Sequence, residues 1–156
     1  MPTVEQSVTL AAPQSVIMEA LNDVKTIPIW ATVPGTISNV QGSGAGMTYS
    51  WQYSVNKLKF KGLSQVIEQT ENTLITKTSG DVESIWTINL TPITSNITAM
   101  QVIVEYIPPN NYIELMVDFL LDQINDPEVA RENMARFKEM VEERARVKAE
   151  QILAQS

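Results

Sequence analysis

The feature that most constrains this chain is its alternation with a period of two, which recurs through most of its first 107 residues. Val4, Gln6, Val8 and Leu10 alternate with Glu5, Ser7 and Thr9, the pattern of a half-buried strand. From 36 to 106 the same period returns in successive segments. Thr36 opens one over 36–40, and Met47, Tyr49, Trp51, Tyr53 and Val55 share one face of the next. Leu58, Phe60, Gly62, Ser64 and Val66 share a face of the third, and a fourth covers 74–78. Val82, Trp86, Ile88 and Leu90 share a face of the fifth, which Thr91-Pro92 is expected to end, and the last covers 97–106. The connections are short: the glycine-rich 42–46, Asn56-Lys57, Glu71-Asn72, Gly80-Asp81 and Ser95-Asn96. Seven strands joined this closely imply an antiparallel meander.

Helical spacing interrupts the strands early and replaces them at the end. Pro13 opens a short helix over 12–22, with Val16, Ile17, Ala20 and Leu21 on one face. An irregular turn over 23–30 follows, ended by Pro28 and Pro34. After Pro108-Pro109, Asn110 or Asn111 can cap a helix to about Ile124, with Tyr112, Leu115, Met116 and Phe119 on one side. Asn125-Asp126-Pro127-Glu128 is a strong start signal, because Asp caps, Pro suits the first helical position and Glu favours the positive dipole end. The helix it opens is expected to run to about Leu153, with Ala130, Met134, Phe137 and Val141 as its apolar stripe. Glu132–Arg136 and Glu142–Arg146 stand at i,i+4 spacing. Beyond Glu142 the stripe thins, so the last turns either project from the body or meet a partner chain, as in a homodimer.

Composition narrows the chemistry. The chain has no cysteine and no histidine, which removes thiolate nucleophiles, thiolate metal sites and the side chain most used for proton transfer near neutral pH. A net charge of −7 argues against nucleic acid. The one basic cluster, Lys57, Lys59 and Lys61, alternates with Leu58 and Phe60 and reads as the wet face of a strand. No signal sequence and no transmembrane segment is visible, which places the expected protein in the cytoplasm. With 156 residues, 44% of them hydrophobic, the expectation is one domain over 1–156 with its own core.

The order of elements, strand, two short helices, six strands and one long helix, carries a resemblance. Ala11-Ala12-Pro13-Gln14-Ser15-Val16, Leu21-Asn22-Asp23 with Ile29-Trp30, Gly46-Met47-Thr48-Tyr49, Val66-Ile67-Glu68, and Ile97-Thr98 with Glu105-Tyr106-Ile107-Pro108 together bear it. In that order they resemble the START-like (SRPBCC) superfamily, in particular its polyketide cyclase/dehydrase branch. The resemblance implies an α+β helix-grip fold: a curved seven-stranded antiparallel sheet wrapped around the C-terminal helix, with a cavity between them. It also implies a hydrophobic or amphipathic ligand such as a lipid, polyketide or quinone. Carriers and enzymes share that scaffold, so the fold leaves the reaction open.

Large aromatics with polar tips suit such a cavity, although ordinary core packing would use the same residues. The candidate ligand-binding residues are Tyr49, Trp51, Tyr53, Phe60, Trp86, Ile88, Val104 and Tyr106 from the sheet. Trp30 is a candidate at the mouth, and Met116, Phe119, Met134 and Phe137 are candidates from the helices. No cofactor or metal is expected, and no catalytic residue can be assigned. Glu105, Asp23, Asp118 and Asp122 are available carboxylates; Asp118 and Asp122 share a helix face but read first as wet surface, and Glu105 reads as facing the convex side. The family's cyclases commonly use an arginine or histidine in the pocket, and this sheet has neither. A binder or carrier is therefore preferred to the alternative, a cyclase or dehydratase working through tyrosine and carboxylate groups. The run Gly42-Ser43-Gly44-Ala45-Gly46 lacks the lysine and spacing of a phosphate-binding loop and reads as a turn.

Overall fold

The computed structural model describes residues 3–30, 35–55, 58–81, 83–107 and 127–155. Strand β1 (Thr3–Leu10) leads into helix α1 (Gln14–Asn22), a single 3₁₀ turn (Val24–Thr26) and the short helix α2 (Ile27–Trp30). Six strands follow: β2 (Gly35–Gln41), β3 (Thr48–Val55), β4 (Leu58–Gln69), β5 (Thr73–Gly80), β6 (Glu83–Thr94) and β7 (Ile97–Ile107). Helix α3 (Pro127–Gln155) closes the chain. The strands form one antiparallel sheet in the order β1-β7-β6-β5-β4-β3-β2. This is the helix-grip architecture, an α+β fold in which the concave face of the sheet holds the long helix. Among the described residues no helix is long and apolar enough to cross a membrane.

Register shifts between Ser38 and Gln41, Val66 and Glu68, and Pro92 and Thr94 interrupt the ladders, and such bulges bend and twist strands. The turn at 42–46 depends on glycine, since Gly42, Gly44 and Gly46 all have φ between 67° and 91°.

Three boundaries differ from the sequence expectation. Pro13 is the N-cap of α1 and sits just outside the helix. Pro28 lies inside α2 and does not end it; in the first turn of a helix its missing N–H costs no bond. Pro92 does not end β6, which continues to Thr94. The pairing explains the tolerance: β5 pairs with β6 only as far as Asn89, so beyond Leu90 one side of β6 has no strand ladder to interrupt. Asn56-Lys57 and the helix expected over 110–124 lie outside the described residues.

Helix α3 starts at Pro127, as the capping signal requires. Phe137 and Val141 are almost wholly buried and Met134 half-buried, so the middle of the stripe docks. Burying each of the first two contributes about 1.5–3 kcal/mol before entropy is counted. Polar clamps fix the docking. Ala11 N–H donates to Glu142 Oε2 at 2.7 Å, and Lys138 Nζ donates to Thr9 O at 3.1 Å and to Glu142 at 2.8 Å. Arg144 pairs with Asp23 and Lys148 with Glu19, both at 2.8 Å, tying α3 to α1 and its C-cap. Among the described residues α3 forms the ion pairs Lys138–Glu142 and Arg146–Glu143, and not the expected Glu132–Arg136 and Glu142–Arg146. Residues 146–154 are exposed, Ile152 and Leu153 among them.

Candidate functional site: a cavity crossed by a row of hydroxyls

The concave face is built from alternate residues of each strand, and register decides which of them meet. At the closed end, Leu10, Ala12, Ile17, Leu90 and Val141 belong to the buried core and do not border the cavity that opens farther along the face, and Thr98 Oγ1 donates to Ala12 O at 2.9 Å. Toward the middle of the face the residues become smaller and more polar. Tyr49 pairs with Ser64, Ser64 with Thr78, and Thr78 with Ser84, a straight row across β3, β4, β5 and β6. The backbone register carries that row on to position 106 of β7. The neighbouring row runs Val66, Thr76, Trp86, Val104.

Serine and threonine do not fill the depth that a leucine or methionine would. A cavity of about 230 Å³ remains between these rows, α1–α2 and the first half of α3. Its apolar wall includes Leu21, Ile27, Val66, Leu74, Trp86 and Phe137. Among the described residues that line it there is no Asp, Glu, Lys or Arg. Several of the polar groups within it stand in one row or pair with each other. Tyr49 stands opposite Ser64 in the register, Ser64 Oγ and Thr78 Oγ1 are 2.8 Å apart, and Trp86 Nε1 donates to Ser84 Oγ at 3.1 Å. Burial pushes the Tyr49 phenol above its ordinary value of 10.0, partly offset by the Ser64 hydroxyl, so the phenol is neutral at physiological pH. At the α1 margin Asn22 Nδ2 donates to Met18 O at 3.0 Å, while its Oδ1 is buried without a hydrogen bond.

Of the candidates from sequence, Tyr49, Trp51, Trp86, Ile88, Met134 and Phe137 line the cavity. Trp51 packs over Gly62, where an added Cβ would come within 2.3 Å of the indole. Phe60 and Val104 are buried on the same face but do not border the space. Met116 and Phe119 lie outside the described residues, as do the side chains of Trp30, Tyr53 and Tyr106. Ser64, Thr76, Thr78 and Ser84 were not among the candidates. Alternation puts each on the concave face, but only the pairing of four strands aligns them. Two of the candidate carboxylates fall elsewhere: Asp23 is exposed and paired with Arg144, and Glu105 alternates with the buried Val104 and so faces away. Asp118 and Asp122 lie outside the described residues. Lys59 and Lys61 are exposed on the outer face. Among the described residues no cluster of acidic side chains could hold a metal ion.

No family model matches the sequence, and a search of the curated proteins finds no match. Solved structures do match along almost the whole chain. An aromatase/cyclase from Streptomyces sp. R1128, ZhuI, superposes with a TM-score of 0.74 at 13% identity, covering 92% of this chain and 94% of that one. The Thermus thermophilus protein TTHA0849 gives 0.68 at 17% identity, covering 94% and 99%. A START superfamily protein from Mycobacterium smegmatis gives 0.59 at 18% identity, covering 92% and 97%. The structural neighbours are thus START-like helix-grip proteins, and at these identities the likeness establishes the shared fold.

Proposed function

We propose that this protein binds a hydrophobic or amphipathic small molecule in the space between its sheet and α3, as a carrier or binding protein. The observation that carries the reading is the cavity of about 230 Å³, walled mainly by apolar side chains, on a sheet whose other end is closed. For scale, an engineered apolar cavity of about 150 Å³ admits benzene. A cyclase- or dehydratase-type reaction, which the aromatase/cyclase neighbour brings to mind, would need a carboxylate beside a pocket tyrosine. The described lining residues supply the tyrosine and no carboxylate, so binding without chemistry is the reading adopted. Native mass spectrometry of protein purified from its own host tests it, together with thermal shifts across lipid and quinone libraries. A co-purifying apolar ligand or a saturable shift is the expected result. Protein that repeatedly arrives empty and shifts with no compound contradicts the reading.

A further inference from the structure

The hydroxyl row gives the cavity a chemical preference that its apolar walls alone would not. We propose that Tyr49, Ser64, Thr78 and Ser84 form a recognition strip for the oxygen of an uncharged ligand, a phenol, alcohol or ketone, and that the site rejects ionised carboxylates. The inference rests on the binding reading above.

Three observations support it. The row is continuous: its four residues are paired strand to strand, and Ser64 Oγ and Thr78 Oγ1 stand 2.8 Å apart at its centre. Each hydroxyl has one proton and two lone pairs, so a rotation of the chain can offer either a donor or an acceptor to a ligand. Such a strip accepts a carbonyl and a phenol equally well.

The second observation is charge. The described lining residues include no Lys or Arg, and the chain between 108 and 126 adds only Glu114, Asp118, Asp122 and Asp126 to the charged inventory. A carboxylate entering this space would lose its hydration without gaining a cation, which is strongly unfavourable. Third, Trp86 Nε1 already donates to Ser84 Oγ. That bond orients the serine so that its own proton is free to point elsewhere.

The test uses three compounds of one shape: ethylbenzene, 4-ethylphenol and 4-ethylbenzoate, titrated calorimetrically into the full chain at pH 7. The phenol is expected to bind about 3- to 10-fold tighter than ethylbenzene, the worth of one neutral hydrogen bond. The benzoate is expected to bind at least about 10-fold weaker than the phenol. Thr78→Val and Tyr49→Phe keep shape while removing a hydroxyl. In each variant that still melts cooperatively, the ratio of phenol to ethylbenzene affinity should fall. A benzoate that binds as well as the phenol overturns the proposal, as does a phenol with no advantage over ethylbenzene. An advantage that survives in both variants overturns it too. In those cases ethylbenzene binding leaves the cavity reading standing; if none of the three binds, the cavity reading itself fails.

Discussion

The two ends of the concave face are made by the same strands and the same helix, yet one is solid and the other hollow. On β6, Leu90 is buried away from the cavity while Ser84 lines it. On α3, Val141 is wholly buried against the corner made by β1 and α1, while Met134, two turns earlier, is only half-buried and faces the cavity. The hollow is therefore a matter of residue volume. Where the rows carry Leu, Met and Ile the helix is met by matching apolar bulk. Where Ser64, Thr76, Thr78 and Ser84 stand among the larger lining residues, space is left below the helix. The polar clamps lie at the solid end, with Glu142 on Ala11 and Lys138 on Thr9. That end can hold the helix while the other accommodates a guest.

Truncations should separate the two ends. Leu10→Ala, at a site with no exposure, should cost about 2–5 kcal/mol in a denaturant titration. Met134→Ala should cost less than about 1.5 kcal/mol, because part of its surface already borders empty space. Equal losses would break the distinction. Gly62→Ala should cost about 3 kcal/mol, since the new Cβ would meet Ser79 O at 2.1 Å as well as the Trp51 ring. Its cost should show in thermal unfolding, together with a change in tryptophan fluorescence as the indole is displaced.

Smaller effects belong to the clamps. Burial raises the Glu142 carboxyl, but Lys138 and the Ala11 N–H more than offset it and hold the group below its ordinary 4.5. A lowered folded value means that its contribution is complete above about pH 4.5 and is lost as pH falls through the folded value. Glu142→Gln should therefore cost about 1 kcal/mol at pH 7. It should also flatten the acid side of the stability curve, read as melting temperature from pH 3 to 7. A curve parallel to that of the unaltered protein would show that Glu142 carries none of the acid sensitivity. Lys148→Ala breaks an exposed pair with Glu19 and should change stability by less than about 0.5 kcal/mol, less still in high salt.

Much of the fold could be read from the sequence because period two and period 3.6 are local signals. Val4 to Leu10 alternates as β1 does, and Asp126-Pro127 marks the start of α3. What was missed depended on neighbours distant in sequence. Pro92 reads as a stop until one knows that β5 leaves β6 unpaired beyond Asn89. The ion pair of Glu142 reads as helical surface until the chain after β1 brings Ala11 to it. At the site, aromatic residues were easy to nominate because their size alone suits a pocket. Ser64, Thr78 and Ser84 lie 14 and 6 residues apart and become one row only through hairpin register. Register follows from turns and bulges, such as the shift between Val66 and Glu68, which alternation does not encode. Volume also escapes a linear reading: Phe60 and Trp51 share a face character, yet only Trp51 borders the space.

The hollow between the hydroxyl rows and the first half of α3 underlies every functional statement made of this chain. Xenon-pressurised crystallography tests it most directly, since apolar cavities take up xenon. Xenon density is expected among Trp86, Leu74 and Phe137, with none between Leu10, Leu90 and Val141. A crystal in which Met134 and Phe137 rest directly on Ser64 and Thr78, with no xenon between them, would contradict the hollow.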